Sequence, residues 1–389
     1  MKILYVCNNA YIPGNGISTS ARNIVSKLKE LGEDVRLLSC ENPDPDGPQP
    51  DYPLKKFYFP LFQPIIDANG FCYASIDRKK VRKAVAWADV VHIEEPLFLE
   101  KAAIREAERQ GKPITGTFHM YTQNILSEIP LSNSRLSNHL LMLDWRENFY
   151  NRCTDIQCPT PTVKDLLEKY GFKSRLHVIS NGIIIPDEPV KVREPQTDPV
   201  LLLSIARFAA VKNQPLLMEA MKYSRHAHRI QLYFAGKGAY EVQYRRIAEK
   251  LYSSGILKYK PVFAFHDTAE LKELASKAYL YIHTANLEVE GLGCVEAIRE
   301  GAVPLIGKGK HIATSDFALD DRSVYDVHSP QELAEKIDWW IEHPEERNEM
   351  SRRYAEHARD YDIKASAQAL VEMYSRACSG FCRDDAVVH

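Results

Sequence analysis

Two glutamates, Glu288 and Glu296, flank a glycine-containing turn, with seven residues between them. The run Ala278–His283 before the turn is apolar and strand-like, whereas residues 294–300 after it follow a helix-like pattern. Backbone N–H groups lie uncovered at a helix N-terminus, and together with the helix dipole they attract anions. One carboxylate before the turn and one inside the helix can therefore bracket a polyol that carries a phosphate. This is the chemistry needed to hold a nucleotide-sugar.

Arg207 and Lys212 form a second candidate group, on the loop that leaves the apolar run Val200–Ile205. Their spacing lets both cations converge on one dianion, the arginine as a planar fork and the lysine as a point charge. Surface charges are common, so the alternative is a solvated loop in which Asn213 caps a helix.

A glycine-containing loop, residues 8–19, follows the first predicted strand and leads into a helix. We predict that Ser18 or Thr19 is the N-cap of this helix. Gly16 would let the backbone approach a phosphate here. Glycine turns before helices are also common for steric reasons alone.

Two further candidates lie just past predicted strands. Gly236 and Gly238 form a turn that can pass a backbone beneath a base or a diphosphate. His119 follows the predicted strand Pro113–Phe118, at the strand end where ligand contacts concentrate in α/β sheets. A neutral histidine can donate to or accept from a hydroxyl, but an isolated histidine is also often structural.

Composition bounds the class of protein. The chain has 389 residues, 45% of them hydrophobic and 26% charged, which is the globular range. Its formal net charge of -2 gives no electrostatic case for nucleic-acid binding. The eight cysteines form no CxxC pair, so we expect free thiols in a reducing compartment and no zinc site.

The sequence also bears on the cellular location of the protein. No stretch approaches the roughly 20 apolar residues of a membrane span. The first residues, Met1–Cys7, read as a strand and lack the cleavage site of a signal peptide. We therefore expect a cytoplasmic protein, with peripheral contact at the inner face of the cell membrane as a further option.

Apolar strands alternate with helix-period segments along nearly the whole chain, which predicts an α/β fold of two doubly wound, Rossmann-like domains. Their sheets would place ligands at the carboxyl ends of the strands, so we expect the domains to face across a cleft. We expect an N-terminal domain over 1–185, a proline-rich linker over 186–199 and a C-terminal domain over 200–362. A last helix at 363–378 would pack back on the first domain.

Two segments suggest partners. The basic cluster Arg78–Lys83 is either a solvated helix face or a site for anionic lipid headgroups. Leu131–Arg152 is predicted to be an amphipathic helix that packs on the core, lines an acceptor groove or inserts shallowly into a membrane.

Taken together, these motifs resemble the family 4 glycosyltransferases over nearly the full length of the chain. The spacing of Glu288 and Glu296 is the strongest element of the resemblance, and Ser204–Lys212 is similar to that family's Gly-Arg…Glu-Lys loop. Asn181-Gly182 is similar to its Pro-Asn-Gly segment, and Pro13–Ile17 to its Gly-Gly loop with Asn15 replacing the first glycine. Thr117–His119, Gln123–Ile125 and Phe317–Ser323 look most like bacterial diacylglycerol glucosyltransferases.

The resemblance implies a GT-B fold and retaining, metal-independent transfer of a hexose, without a cofactor. The expected donor is UDP-glucose, with a GDP-sugar as the other option, and the expected acceptor is a lipid or a glycan. By the same resemblance, Arg207 and Lys212 neutralise the leaving diphosphate, Glu288 bonds sugar hydroxyls and Glu296 bonds the ribose. His119 would contact the donor hexose near the reacting carbon. The backbone amides expected to assist at the diphosphate belong to Gly291, Leu292, Gly293, Cys294 and Val295.

Other functional classes stay open at this point. A sugar-nucleotide epimerase or a phosphorylase would use the same two-domain plan, and an epimerase would isomerise the donor without an acceptor. A two-lobed sugar-binding protein shares the hinged α/β design and would bind without transferring.

Overall fold

The computed structural model describes residues 1–12, 16–60, 63–68, 71–126, 134–186 and 194–384. The chain divides into two compact units. The first comprises Met1–Gly182 and the C-terminal segment from Ile363, and the second comprises Ile183–Asp362. The division comes shortly before the expected linker, of which residues 187–193 lie outside the described part.

The first unit is built from strands and helices in alternation. Its strands are β1 (Lys2–Val6), β2 (Asp34–Cys40), β3 (Tyr52–Leu54), β4 (Lys56–Phe57), β5 (Tyr73–Ala74), β6 (Val90–Ile93), β7 (Ile114–Thr117), β8 (Asp155–Cys158) and β9 (Arg175–Val178). Its helices are α1 (Gly16–Glu30), α2 (Gln63–Ala68), α3 (Arg78–Trp87), α4 (Phe98–Arg109), α5 (Gln123–Leu126), α6 (Arg135–Asn148), α7 (Pro161–Lys169) and, at the end of the chain, α14 (Ile363–Asp384).

The main sheet of the first unit is parallel and has the order β3-β2-β1-β6-β7-β8-β9. Strands β4 and β5 form a separate antiparallel pair. The strand order changes direction between β1 and β6, and ligands of such sheets bind in the crevice at this kind of switch point. The loops that follow β1 and β6 lie side by side there.

Helix α14 is part of the first unit's core. It packs against α1, and Ala367, Leu370 and Tyr374 are buried in the same cluster as Ile24 and Leu28 of α1. The apolar face of α14 thus covers one face of the first sheet.

The second unit repeats the design. Its strands are β10 (Val200–Ile205), β11 (Ile230–Ala235), β12 (Val262–Ala264), β13 (Leu280–His283), β14 (Val303–Lys308) and β15 (Val324–Asp326). Its helices are α8 (Pro215–Ala220), α9 (Glu241–Ser253), α10 (Thr268–Lys277), α11 (Leu292–Arg299), α12 (Pro330–Glu342) and α13 (Pro344–His357).

The sheet of the second unit is also parallel, in the order β12-β11-β10-β13-β14-β15. Its switch point lies between β10 and β13. The predicted α/β fold class with two Rossmann-like sheets is therefore confirmed.

Local sequence sets several helix boundaries. Asp267 and Glu270 form a reciprocal capping box at the start of α10. Ser329 accepts from the N–H of Glu332 at the start of α12, where Pro330 needs no hydrogen-bond acceptor.

The predicted N-cap of α1 is wrong. Helix α1 already begins at Gly16, and the buried Ser18 hydroxyl donates to the carbonyl of Asn9 instead of capping the helix. Asn213 does cap a helix: with a left-handed φ of 49° it is the C-cap of a short 3-10 helix, and the next helix begins at Pro215.

The basic cluster lies on α3, whose first turn is capped by Asp77. Val81 and Val85 are buried, whereas Arg82 and Lys83 face solvent. The cluster thus forms an exposed helix face.

Helix α6 divides its apolar residues between two sides. Met142 and Trp145 are buried in the core, as the packing alternative expected. Leu136 and Leu140 are exposed, with relative accessibilities of 67% and 56%. Residues 131–133 of the predicted segment lie outside the described residues.

Candidate functional site

The predicted cations and the first glutamate meet at the switch point of the second sheet. Lys212 lies on the loop after β10 and Glu288 on the loop after β13, and the lysine ammonium donates to the glutamate carboxylate. The side chains are only 17% and 18% accessible, so the pair is partly withdrawn from water.

The two loops are tied together at the backbone as well. The Thr284 hydroxyl donates to the carbonyl of Lys212 at 2.7 Å, and the N–H of Asn286 donates to the carbonyl of Val211 at 2.9 Å. Glu288 is held from its other side, because its N–H donates to His311 and its carbonyl accepts from Ala313. These contacts fix the distance between the ion-pair partners before any ligand arrives.

The environment keeps Glu288 ionised. Burial alone would raise the pKa of this carboxyl, but the positive charge of Lys212, supported by Arg207, lowers it below its usual value. His283 lies 3.7 Å from the same oxygen, Oε2. Burial lowers the pKa of His283 to about 4, so this neighbour is neutral at pH 7.

Glu296 differs from Glu288 in its electrostatics. It lies within α11 and is partly buried, and this burial raises the pKa of its carboxyl despite the nearby charge of Arg299. The two glutamates of the motif therefore have carboxyls whose pKa values are shifted in opposite directions.

The backbone conformation at position 291 requires a glycine. Gly291 has φ of +88°, and a Cβ there would come within 2.5 Å of the Thr314 hydroxyl. Helix α11 begins directly after it, at Leu292, two residues earlier than the sequence pattern indicated. The first N–H groups of this helix, those of Leu292 and Gly293, have no acceptor within the helix.

Cys294 and Val295 differ from the first two residues of the helix. The N–H of Cys294 already donates to the carbonyl of Gly291 at 2.8 Å. The side chains of Cys294 and Val295 are fully buried in the core of the unit. Of the five predicted amides, those of Leu292 and Gly293 are best suited to an anion.

Gly236 and Gly238 serve a packing purpose that the sequence did not reveal. A Cβ at Gly236 would fall on the carbonyl oxygen of Ala206, and one at Gly238 would fall on the backbone of Phe208. The N–H of Phe208 donates to the carbonyl of Lys237 at 3.1 Å. These glycines therefore let the β11 loop lie against the loop that carries Arg207.

In the first unit, the side chain of His119 is only 5% accessible. Its Nε2 is paired with the carboxylate of Glu94, which comes from the end of β6. Tyr5 donates to the same carboxylate, and His92 lies 3.3 Å from it. Burial would raise the pKa of Glu94, but the charge and hydrogen bond of His119 lower it.

Gly16 is the first residue of α1, and a Cβ there would meet nothing within 4 Å. Its glycine identity is thus not explained by packing between described residues. Residues 13–15 of the predicted glycine loop lie outside the described residues.

The described residues include neither a candidate metal site nor a candidate membrane span. No group of three or more His, Cys, Asp or Glu side chains is arranged to hold a metal ion within that part of the chain. No helix there is long and apolar enough to span a bilayer.

Comparison with known families places these features in context. Residues 14–185 match the family described as Glycosyltransferase Family 4, and residues 186–357 match the one described as Glycosyl transferases group 1. The chain belongs to the family 4 glycosyltransferases.

One curated relative and two solved structures are similar to this chain. Alpha-monoglucosyldiacylglycerol synthase from Streptococcus pneumoniae is 21% identical over 315 residues, covering 77% of this chain and 70% of that protein. Sucrose-phosphate synthase from Thermosynechococcus elongatus has a TM-score of 0.71 at 13% identity, covering 98% of this chain and all of that structure. Anabaena HepE in complex with UDP has a TM-score of 0.67 at 14% identity, covering 96% of this chain and 100% of that structure. These two structures show the shared fold.

This glycosyltransferase also has a buried acidic cluster that was not predicted from the sequence. Glu94, Glu95 and Glu100 are inaccessible to solvent at the switch point of the first sheet. Burial and the charge of Glu94 raise the pKa of Glu95 to about 7, and burial raises the pKa of Glu100 well above its usual value. Asn8 donates to both oxygens of Glu100 at 2.8 Å.

A signal for this cluster was present in the sequence. Glu94 directly follows the buried strand β6. His119 was chosen as a candidate because it, too, follows a strand. Glu100 lies inside α4, and its contact with Asn8 could not be predicted from the sequence because the two residues meet only in the folded chain.

Proposed function

We propose that this chain is a retaining glycosyltransferase that moves a hexose from a UDP-sugar to a hydroxyl of a lipid or glycan. Glucose is the first candidate for the hexose. The observation that carries the proposal is the Lys212–Glu288 pair, with Arg207 close enough to lower the pKa of the same carboxyl.

The cations suit the leaving group of such a transfer. As the bond from the sugar to the diphosphate breaks, negative charge grows on the diphosphate. Arg207 and Lys212 would stabilise that charge from positions that the loop contacts have already fixed, and preorganised charge of this kind is usually the largest catalytic term. The N–H groups of Leu292 and Gly293 would add donors at the positive end of α11.

Glu288 suits the sugar. Lys212 and His283 both approach Oε2, so Oε1 is the atom we expect to accept from a hexose hydroxyl. Glu296, eight positions further along and inside α11, is proposed to bond the ribose of the nucleotide. In the first unit, Glu94 sets the orientation of the His119 ring.

The identities of donor and acceptor are proposed from relatives. HepE has been crystallised with UDP-glucose, at 14% identity to this chain, which favours testing that donor first. The name of the pneumococcal relative favours a diacylglycerol-type acceptor over a glycan. Contact with a membrane through Arg78–Lys83, or through the exposed leucines of α6, would bring the protein to such an acceptor.

The proposal is tested by binding followed by transfer. UDP-glucose, UDP-galactose, UDP-N-acetylglucosamine and GDP-mannose are compared by thermal shift, because a ligand of the native state raises apparent stability by mass action. The best donor is then incubated with diacylglycerol, with an oligosaccharide, or without acceptor, in buffer with and without a chelator.

We expect a UDP-hexose to give the largest shift, and we expect a product whose anomeric configuration by NMR equals that of the donor. Transfer should persist in chelator. Isomerisation of the donor without acceptor, or binding with no transfer to either acceptor class, would contradict the proposal.

A further inference from the structure

Two cysteines of the first unit lie in direct contact. The sulfur atoms of Cys40 and Cys72 are 2.9 Å apart. Cys40 is the last residue of β2, and Cys72 immediately precedes β5. A disulfide bond is about 2.05 Å long, so the two sulfurs need to approach by less than about 1 Å to form one.

The segment that carries Cys72 is held by hydrogen bonds to the loop after β1. Its N–H donates to the side-chain oxygen of Asn9 at 2.5 Å, and the N–H of Ala74 donates to that of Asn8 at 3.1 Å. Cys40 is fixed by the sheet, because β2 pairs with both β1 and β3. The approach of the two sulfurs is therefore set by two anchored backbones.

The thiol of Cys72 differs from other buried thiols in the direction of its pKa shift. The hydrogen bond shared with Cys40 lowers the pKa of Cys72, and the positive charge of Lys56 acts in the same direction. Burial raises the pKa of Cys153 and that of Cys158. The thiolate is the nucleophile in disulfide exchange, which makes Cys72 the attacking member of the pair.

We propose that Cys40 and Cys72 are a disulfide-forming pair that reacts with small-molecule disulfides. The bond would link the last residue of β2 to the segment entering β5 and close a loop between positions 32 residues apart. This proposal is independent of the donor site and of the transfer reaction.

The exchange balances without any further reactant. The Cys72 thiolate attacks one sulfur of the small disulfide, which forms a mixed disulfide and releases one small thiol. The Cys40 sulfur then attacks Cys72 in the mixed disulfide and releases the second small thiol. The two cysteines are oxidised, the small disulfide is reduced, and the two cysteine protons end on the released thiols.

The test uses the full chain and oxidised glutathione as the probe. After incubation, remaining thiols are blocked with N-ethylmaleimide, and the protein is examined by intact mass and by peptide mapping without reduction. We expect the Cys40 and Cys72 peptides to be cross-linked, two fewer blocked thiols than in the untreated protein, and full reversal by dithiothreitol.

Matched variants separate this pair from other thiols. Cys72→Ser should abolish the cross-link, whereas Cys158→Ser, which changes a buried cysteine at the end of β8, should leave it unchanged. A cross-link that joins Cys40 to Cys7, glutathione adducts without a cross-link, or no loss of blocked thiols would each overturn the proposal.

Discussion

Lys212 and Glu288 show how one contact can serve two purposes at the residue scale. The pair neutralises a carboxylate that would otherwise be costly to withdraw from water, and breaking a pair of this kind usually destabilises a protein. It also holds a lysine at the switch point of the sheet, where a ligand is expected. A donor diphosphate would compete with Glu288 for the ammonium, so the lysine is already placed for it.

Replacement of Lys212 tests this dual role. We predict that Lys212→Ala lowers turnover by on the order of 100-fold, because a preorganised charge is lost from the transition state. Steady-state kinetics with the preferred donor measures the effect. The matched control is Lys222→Ala, which removes an exposed lysine paired with Glu219 at 2.6 Å in the same unit. Similar turnover in the two variants would remove Lys212 from the site.

Some residues of the site could be identified from the sequence and some could not. Glu288 and Arg207 were identified because the sequence alone shows that each is a charged residue that follows a predicted strand. The ion pair between Lys212 and Glu288 could not be predicted from the sequence, because it depends on β10 lying next to β13. Glu94 was missed although it follows a strand, because a charged residue after a strand is also common on ordinary surface loops.

At the scale of elements, the loops that leave β10 and β11 act as one unit. Backbone hydrogen bonds join them at Ala206 and at Phe208, and Gly236 and Gly238 make this approach possible. The sequence predicted both glycines as ligand contacts. Their packing role required knowledge of which loops are neighbours.

We predict that Gly238→Ala moves the loop that carries Arg207, because its Cβ would meet the Phe208 backbone. Overpacking of this kind costs about 1–3 kcal/mol. Chemical denaturation should show that loss in the free energy of unfolding, and calorimetry should show weaker donor binding. Gly380→Ala is the control, since its nearest contact is 3.6 Å away. Unchanged stability and unchanged donor affinity in Gly238→Ala would contradict the packing role.

Strands β8 and β9 are joined by a buried carboxylate. Asp155 accepts from Arg175 in two hydrogen bonds of 2.8 Å and lies 2.7 Å from the Nε2 of His177. Burial would raise the pKa of Asp155, but the hydrogen bonds from Arg175 and His177 lower it well below its usual value. A carboxyl with a lowered pKa in the folded state stabilises the fold above its unfolded pKa of about 3.9, and this contribution is lost as the pH falls further.

We therefore predict that Arg175→Ala lowers the free energy of unfolding of the first unit by about 1–3 kcal/mol at pH 7. The difference from wild type should narrow below about pH 4, where the unfolded carboxyl takes up its proton. Urea denaturation at the two pH values measures it. Arg152→Ala, which breaks an exposed pair with Glu108, serves as the control. A difference that stays constant with pH would exclude Asp155 as the cause.

At the scale of the whole molecule, two Rossmann-like units each place polar residues at the switch point of a parallel sheet. This architecture followed from the alternation of strands and helices. The predicted strands Pro113–Phe118, Val200–Ile205 and Ala278–His283 all lie within two residues of the observed ends of β7, β10 and β13. Several shorter elements, such as β3, β15 and α8, were not predicted, because three to six residues carry too little periodicity. The start of α11 was misplaced because the glycines that open the helix read as turn residues.

The central claim is that the second unit grips a sugar diphosphate with Arg207, Lys212 and Glu288. A crystal structure of the protein with UDP-glucose tests it most directly. We predict that Arg207 and Lys212 each donate to the diphosphate within about 3.2 Å, and that Glu288 accepts from a hexose hydroxyl. A nucleotide bound elsewhere, with Lys212 still paired only with Glu288, would contradict the account.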